Sequence, residues 1–234
     1  MWFWFLVNRV FSYIGEPTIV RIPKKVPNPL FVLFMLLVIC LILGVAGGFI
    51  SDALVHFKVI PNPGPSILDD KSVTHFQFVV GAVFIGPVLE ELVFRAQLRR
   101  ISWSIGFIAF ICGVLLSAFT GTYWAFLISP VIFTVLFLIY RYTIASEGLN
   151  SKFRFWTMVY PWYFHFTAIC FALVHLSNFE RGIVLLPLGI LYTLPQLGIG
   201  LVLGFTRMNF GLKYSIAVHS LYNLTLTILL LSKY

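Results

Sequence analysis

Charged residues are scarce in this sequence. Only 10% of its 234 residues are Asp, Glu, Lys or Arg, whereas a soluble domain carries about 25%. Hydrophobic residues make up 60% of the chain, and several apolar runs approach or exceed the roughly 18 residues that suffice to cross a bilayer. The composition therefore predicts an integral, multi-pass membrane protein.

The apolar runs also lack the alternation of polar and apolar residues that is typical of a transmembrane barrel. Backbone polar groups must be satisfied internally in lipid, which leaves a helix bundle. The runs predict spans near residues 30–50, 73–98, 101–119, 123–140, 156–176, 183–205 and 210–231. The predicted fold is thus all-α, a polytopic transmembrane helix bundle of about seven spans.

The N-terminal segment is too short to span a bilayer. Residues 1–15 are aromatic and predict a helix that lies in the membrane interface. Residues 16–29 contain four prolines and three basic residues and predict an extended linker. We therefore expect this helix and basic, proline-rich linker over residues 1–29, followed by a single membrane-embedded domain over residues 30–234.

Two longer interruptions are predicted within that domain. Loops are expected at 51–72, where prolines exclude a helix, and at 141–155, which is polar and basic. Pro187 and Pro195 predict a bend in the sixth span.

The net charge of +8 does not indicate a nucleic-acid partner, because the basic residues are scattered over short loops. Such loops carry Lys and Arg on the cytoplasmic side. With the N-terminus inside, eleven basic residues fall on inner segments and four on outer ones, and Arg95 lies within the membrane. The bias predicts a cytoplasmic N-terminus, with membrane lipid as one partner.

Several catalytic signatures are missing. The sequence contains no His-Glu-x-x-His motif, which disfavours a zincin-type metalloprotease, and no Gly-x-Ser-x-Gly. The only aspartates are Asp52, Asp69 and Asp70, all in the predicted loop at 51–72, so an intramembrane aspartate pair is excluded. Three cysteines without a Cys-x-x-Cys pair specify neither a disulfide framework nor a metal cluster.

What the second predicted span does contain is two adjacent carboxylates, Glu90 and Glu91, followed by Arg95. An ionisable side chain in hydrocarbon is costly and marks a functional site by default. Glu91 and Arg95 are one helical turn apart and can pair, whereas Glu90 points about 100° away. Pro87, after Gly86, predicts that the helix kinks or restarts just before these residues.

Other polar residues occur in the fifth and seventh spans. Phe171 and His175 are spaced i, i+4, and so are His219 and Asn223. From the helical rise, Glu90, His175 and His219 lie at similar depth, roughly 12–17 Å from the inner boundary. Side chains from three helices at one depth predict a shared cavity that is either catalytic or ion-handling.

These residues resemble a known family. Glu90-Glu91-x-x-x-Arg95, Phe171-x-x-x-His175 and His219-x-x-x-Asn223 are similar, in order, to the three motifs of the CPBP intramembrane proteases. That family includes type II CAAX prenyl endopeptidases and bacteriocin-processing or immunity proteins. Two departures are visible: Ala96 replaces a common glycine, and 75 residues separate Arg95 from Phe171, which is room for two additional spans.

The resemblance implies an intramembrane endopeptidase. Glu90 would be the general base with His175 helping to activate a water, and His219 and Asn223 would stabilise the oxyanion. Glu91, Arg95 and Phe171 would be supporting residues. The substrate would be a peptide or protein, with a lipid modification left open.

No cofactor is favoured by this resemblance. Zinc is nevertheless kept as an alternative, because Glu90, His175 and His219 could together form a zinc site with an open position. Two other functions stay open from the residues alone: a non-catalytic scaffold or immunity protein, and a proton-coupled transporter.

Overall fold

The structure is a computed structural model that describes residues 2–19, 28–65, 74–180, 182 and 184–232. Most of the predicted linker and the end of the predicted loop at 51–72 lie outside the described residues. So do six of the basic residues counted for orientation, namely Arg21, Lys24, Lys25, Lys71, Arg181 and Lys233.

The described elements are all helical. The first half of the chain forms α1 (Trp2–Gly15), α2 (Pro29–His56), α3 (His75–Val79), α4 (Gly86–Phe94) and α5 (Ile101–Thr120). A π-helical segment, Val80–Ile85, joins α3 to α4, and a 3₁₀ turn, Ala96–Arg99, follows α4.

The second half forms α6 (Ser129–Ile139), α7 (Leu149–Val174), α8 (Gly189–Tyr192), α9 (Leu194–Asn209) and α10 (Leu212–Leu231). Short 3₁₀ and π segments extend these helices, among them Tyr123–Ile128 before α6, Tyr140–Ile144 and Ala145–Glu147 after it, His175–Asn178 after α7 and Leu186–Leu188 before α8.

Among the described residues, six helices are long and apolar enough to cross a membrane, and there are seven if the bent pair Leu186–Tyr192 and Leu194–Asn209 is one span. That pair meets at 72°, which confirms the predicted bend in the sixth span. The predicted all-α, polytopic bundle is confirmed, and the chain is an integral multi-pass membrane protein.

Two predicted loops are wrong in extent. The segment 141–155 is helical apart from a break at Gly148, whose φ of 105° suits glycine. The loop expected from residue 51 begins later, because α2 continues to His56. In both segments polar side chains occur at the end of a span, where they can reach water without ending the helix. The prolines at 61–65 do exclude a helix, as expected.

Helix α9 lies at the centre of the bundle, packed against α2, α7 and α10. Its residues Val202, Leu203 and Phe205 are fully buried. By contrast, α5 and α6 pack mainly on each other. In the candidate span Tyr123–Glu147, which contains α6, only 6% of the most apolar 18-residue stretch is buried. The two spans inserted between Arg95 and Phe171 therefore lie at the edge of the bundle.

The N-terminal helix α1 packs on the bundle through Leu6, Val10 and Tyr13, which are buried. Arg9 donates to the Asn209 side chain at 2.9 Å, and the Tyr13 and Tyr160 hydroxyls are 3.1 Å apart. A short helix is confirmed at this position, and its orientation in the membrane interface stays a prediction.

Candidate active site

The first element of the site is the π-helical segment before α4. Gly86 donates its backbone N–H to the Gly81 carbonyl, five residues back. The next donor in that register would be residue 87, which is proline and has no N–H, so the Ala82 carbonyl loses its helical partner. The Asn223 side-chain amide donates to this carbonyl at 2.8 Å. Asn223 therefore ties α10 to the place where the helix restarts.

Helix α4 then carries the two carboxylates into different surroundings. Glu91 is completely buried. Its Oε2 accepts a hydrogen bond from Ser215 and its Oε1 lies 3.2 Å from Nδ1 of His219. Nε of Arg95 lies 3.7 Å from the same Oε1. A buried carboxylate needs partners of this kind, because an unpaired charge in the interior is costly.

Arg95 is itself 1% exposed and is held from three sides. Besides Glu91, its Nη2 donates to the Gly200 carbonyl at 3.2 Å. Its guanidinium lies 3.9 Å from the centre of the Phe171 ring, a close cation–π contact. The expected pairing of Glu91 with Arg95 is present, and the ring of Phe171 completes it.

Glu90 lies in a different position, facing the two histidines. Its Oε2 lies 3.8 Å from Nε2 of His175 and 3.7 Å from Nε2 of His219. These distances exceed a direct hydrogen bond, and no group within the described residues bonds to this buried oxygen. Polar atoms held at such separations can share a water. The geometry thus offers a place for one water between a carboxylate and two imidazoles.

The backbone fixes which nitrogen of His175 is free. Its Nδ1 lies 2.7 Å from the Phe171 carbonyl. A carbonyl only accepts, so Nδ1 must carry the proton, and in the neutral ring Nε2 is an acceptor that faces Glu90. A water donating to this nitrogen and to the carboxylate would be polarised from both sides.

Phe171 holds the two imidazoles in place. Its ring centre is 4.8 Å from that of His175 and 5.7 Å from that of His219, with edge-to-face angles of 65° and 76°. Since Phe171 also stacks on Arg95, one buried ring contacts members of all three sequence motifs.

These groups open into a cavity of about 520 Å³. Its wall includes Glu90, His175, His219 and Asn223, and most of the remaining lining residues are apolar, with Leu226 among them. Ligand pockets are typically about 300–1,000 Å³ with a few polar groups among apolar walls. The chemistry-bearing residues therefore lie on the wall of a cavity large enough for part of a substrate.

A zinc site does not fit the side chains as they are placed. Within the described residues, no group of three His, Cys, Asp or Glu side chains is arranged to hold a metal ion.

Part of the sequence matches a known protein family. The model of the type II CAAX prenyl endopeptidase Rce1-like family matches residues 138–225. The resemblance to the CAAX proteases is confirmed. This match contains Phe171, His175, His219 and Asn223, whereas the two glutamates precede it and reach the same site through the fold. Neither a curated protein nor a solved structure matches the chain.

Sequence reasoning missed Ser215, which is buried and donates to Glu91. Its spacing of i, i+4 before His219 places both residues on one face of α10 and could have indicated it. It also missed Gly200 and the Ala82 carbonyl, because main-chain partners leave no signal in side-chain motifs.

Proposed function

We propose that this protein is an intramembrane endopeptidase of the CAAX protease type that hydrolyses a peptide bond with a water activated by Glu90 and His175. The observation that carries the proposal is the arrangement at Glu90. One carboxylate oxygen of Glu90, which has no hydrogen-bonding partner among the residues that the structure describes, faces two imidazole nitrogens at 3.7 and 3.8 Å on the wall of a cavity. The family match supports this reaction class.

In the proposed reaction Glu90 accepts a proton from the water as it attacks the scissile carbonyl. His175 is a second acceptor, because its Nδ1 proton is engaged by the Phe171 carbonyl. The proton is then delivered to the leaving amine. Positioned general acid–base groups of this kind contribute roughly 10²–10⁴-fold to rate.

His219 and Asn223 are proposed to stabilise the oxyanion. His219 does so in its doubly protonated form, in which Nε2 donates to the oxyanion while the Nδ1–H is held by the buried Glu91 carboxylate. One N–H of the Asn223 amide is used by the Ala82 carbonyl, and the amide has a second N–H that can donate to the substrate. Donors fixed before the reaction are effective because they need no reorganisation as charge develops. Glu91, Arg95 and Phe171 are proposed to position these groups.

The proposed substrate is a membrane-associated peptide or protein. The mostly apolar lining of the cavity favours an apolar chain near the cleaved bond, and we propose a prenylated substrate as the first to test, in line with the family's name.

The test uses purified protein in liposomes with two matched peptides, one farnesylated on the cysteine of a C-terminal Cys-aliphatic-aliphatic-X sequence and one unmodified. Release of the three C-terminal residues by the wild type, and loss of release in His175→Ala and His219→Ala, is expected. Cleavage of the farnesylated peptide alone supports a prenylated substrate. Equal cleavage of both peptides rejects that preference, and equal cleavage by all variants rejects the site.

The reaction is proposed to need no metal. Chelator-treated protein should keep its cleavage rate, and elemental analysis should find less than stoichiometric zinc. Stoichiometric zinc whose removal abolishes cleavage and whose return restores it would contradict this part of the proposal. Proton flux into liposomes without peptide cleavage would instead favour a transporter.

A further inference from the structure

A second cavity lies away from the glutamates, where the start of α5, the end of α6 and the start of α7 come together. Its volume is about 520 Å³, and every residue in its wall belongs to the segment from Arg99 to Trp156. This segment includes both of the spans inserted between the first two motifs. The cavity is therefore a feature of the insertion and has no part in the proposed cleavage.

The charged residues of this wall are all basic. Arg99, Arg141 and Lys152 line it. Glu147 is the only acid between residues 92 and 179, and it accepts a hydrogen bond from Ser151 and does not line the cavity. Every ion pair among the described residues involves Glu90 or Glu91, so within that part of the chain no carboxylate pairs with the three cations.

Two N–H donors of this wall are buried without an acceptor in the described part of the chain. They are Nε of Arg99 and Nε1 of Trp156. Arg99 is anchored by its Nη2, which donates to the Met208 carbonyl at 2.7 Å. Trp156 is 7% exposed, and its ring is held against Tyr160 and Tyr163. Native structures rarely leave fixed donors of this kind unsatisfied, so an acceptor group is expected here.

The cavity also lies at the depth where lipid headgroups are found. Arg99 ends one candidate span, Arg141 lies in the last two turns of another, and Lys152 lies in the first turn of a third. Tyr140 and Trp156 supply the aromatic rings that are typical of a membrane boundary. Basic pockets between transmembrane helices bind anionic headgroups.

We propose that this cavity binds the phosphate group of an anionic phospholipid. The phosphate oxygens accept from Arg99 and from the Trp156 indole, and Arg141 and Lys152 supply the remaining positive charge. A zwitterionic headgroup is disfavoured because its ammonium group would meet three cations. The proposal is independent of the cleavage reaction.

The test is native mass spectrometry of the full-length protein, released from nanodiscs of dioleoyl-phosphatidylglycerol or of dioleoyl-phosphatidylcholine. The wild type is expected to retain phosphatidylglycerol in preference to phosphatidylcholine. The variant Arg141→Gln/Lys152→Gln should bind phosphatidylglycerol about 10- to 30-fold more weakly. Trp156→Phe, which keeps an aromatic ring and removes the donor, should weaken it as well.

The matched control is Arg154→Gln/Lys213→Gln, which removes two exposed cations that do not line the cavity. It should change the affinity by less than about twofold, because exposed charges contribute little. Equal losses in the two double variants, or equal retention of the two lipids by the wild type, would overturn the proposal. Retention of inorganic phosphate without retention of phosphatidylglycerol would overturn the assignment to a lipid.

Discussion

Nδ1 of His219 lies 3.2 Å from Oε1 of Glu91, and Nε2 of the same ring lies 3.7 Å from Oε2 of Glu90. One imidazole thus links a fully buried carboxylate to one that faces a cavity. The buried carboxylate holds the proton on Nδ1 and fixes the ring, while the other shares the proposed water site with it. The two adjacent glutamates therefore have different expected effects when changed.

Glu91→Gln is expected to destabilise the fold. It leaves Arg95 buried without its charge partner, and breaking a buried pair costs about 3–5 kcal/mol. The thermal unfolding midpoint in detergent should fall by several degrees. An unfolding midpoint within about 1 °C of the wild type would contradict the role of Glu91 as the counter-charge of Arg95.

Ser215→Ala is expected to lower kcat with little change in KM, because the hydroxyl positions Glu91 without facing the cavity. The loss of a buried hydrogen bond to a charged group should also cost about 1.5–3 kcal/mol of stability. Ser104→Ala is the control, since that buried hydroxyl donates to the Gln97 carbonyl. Equal kcat values for the two variants would show that Ser215 has no positioning role.

The helices with continuous apolar runs could be predicted from sequence. The proximity of Glu90, His175 and His219 could be predicted as well, because the helical rise converts the position of a residue in the sequence into its depth in the membrane. The helical structure of residues 141–155 could not be predicted, because near a membrane boundary polar residues are common both in a loop and at the end of a helix. Main-chain partners such as the Ala82 carbonyl depend on which helices touch, and that is decided by packing.

The contact of Asn223 with the Ala82 carbonyl predicts an interaction with Pro87. Asn223→Ala should cost about 0.5–1.5 kcal/mol, because it removes the side-chain hydrogen bond to the part-buried Ala82 carbonyl. In a Pro87→Ala background the restored N–H of residue 87 can reach that carbonyl, so the same substitution should cost less. A double-mutant cycle by thermal or denaturant unfolding measures this coupling. Strictly additive effects would contradict the assigned partner.

Gly200 is expected to be intolerant of a side chain. A Cβ there would lie 2.9 Å from Cδ1 of Phe171 and 3.3 Å from Nη2 of Arg95. Gly200→Ala should displace Phe171, and with it the two histidines, at a cost of about 1–3 kcal/mol. Gly198→Ala on the same helix meets only the Leu43 side chain, at 3.2 Å, and is the control. Equal effects of the two variants on cleavage would argue against the role of Phe171.

The most direct test of the central claim is the initial rate of peptide cleavage in liposomes by Glu90→Gln, with Glu147→Gln as the matched control. Glu90→Gln should fold normally, because Oε2 makes no direct hydrogen bond in the described part of the chain, and should lose about 10²–10⁴-fold in kcat. The exposed Glu147 lies outside the site, and its variant should cleave at the wild-type rate. A folded Glu90→Gln protein that cleaves as fast as the Glu147→Gln control would contradict the account.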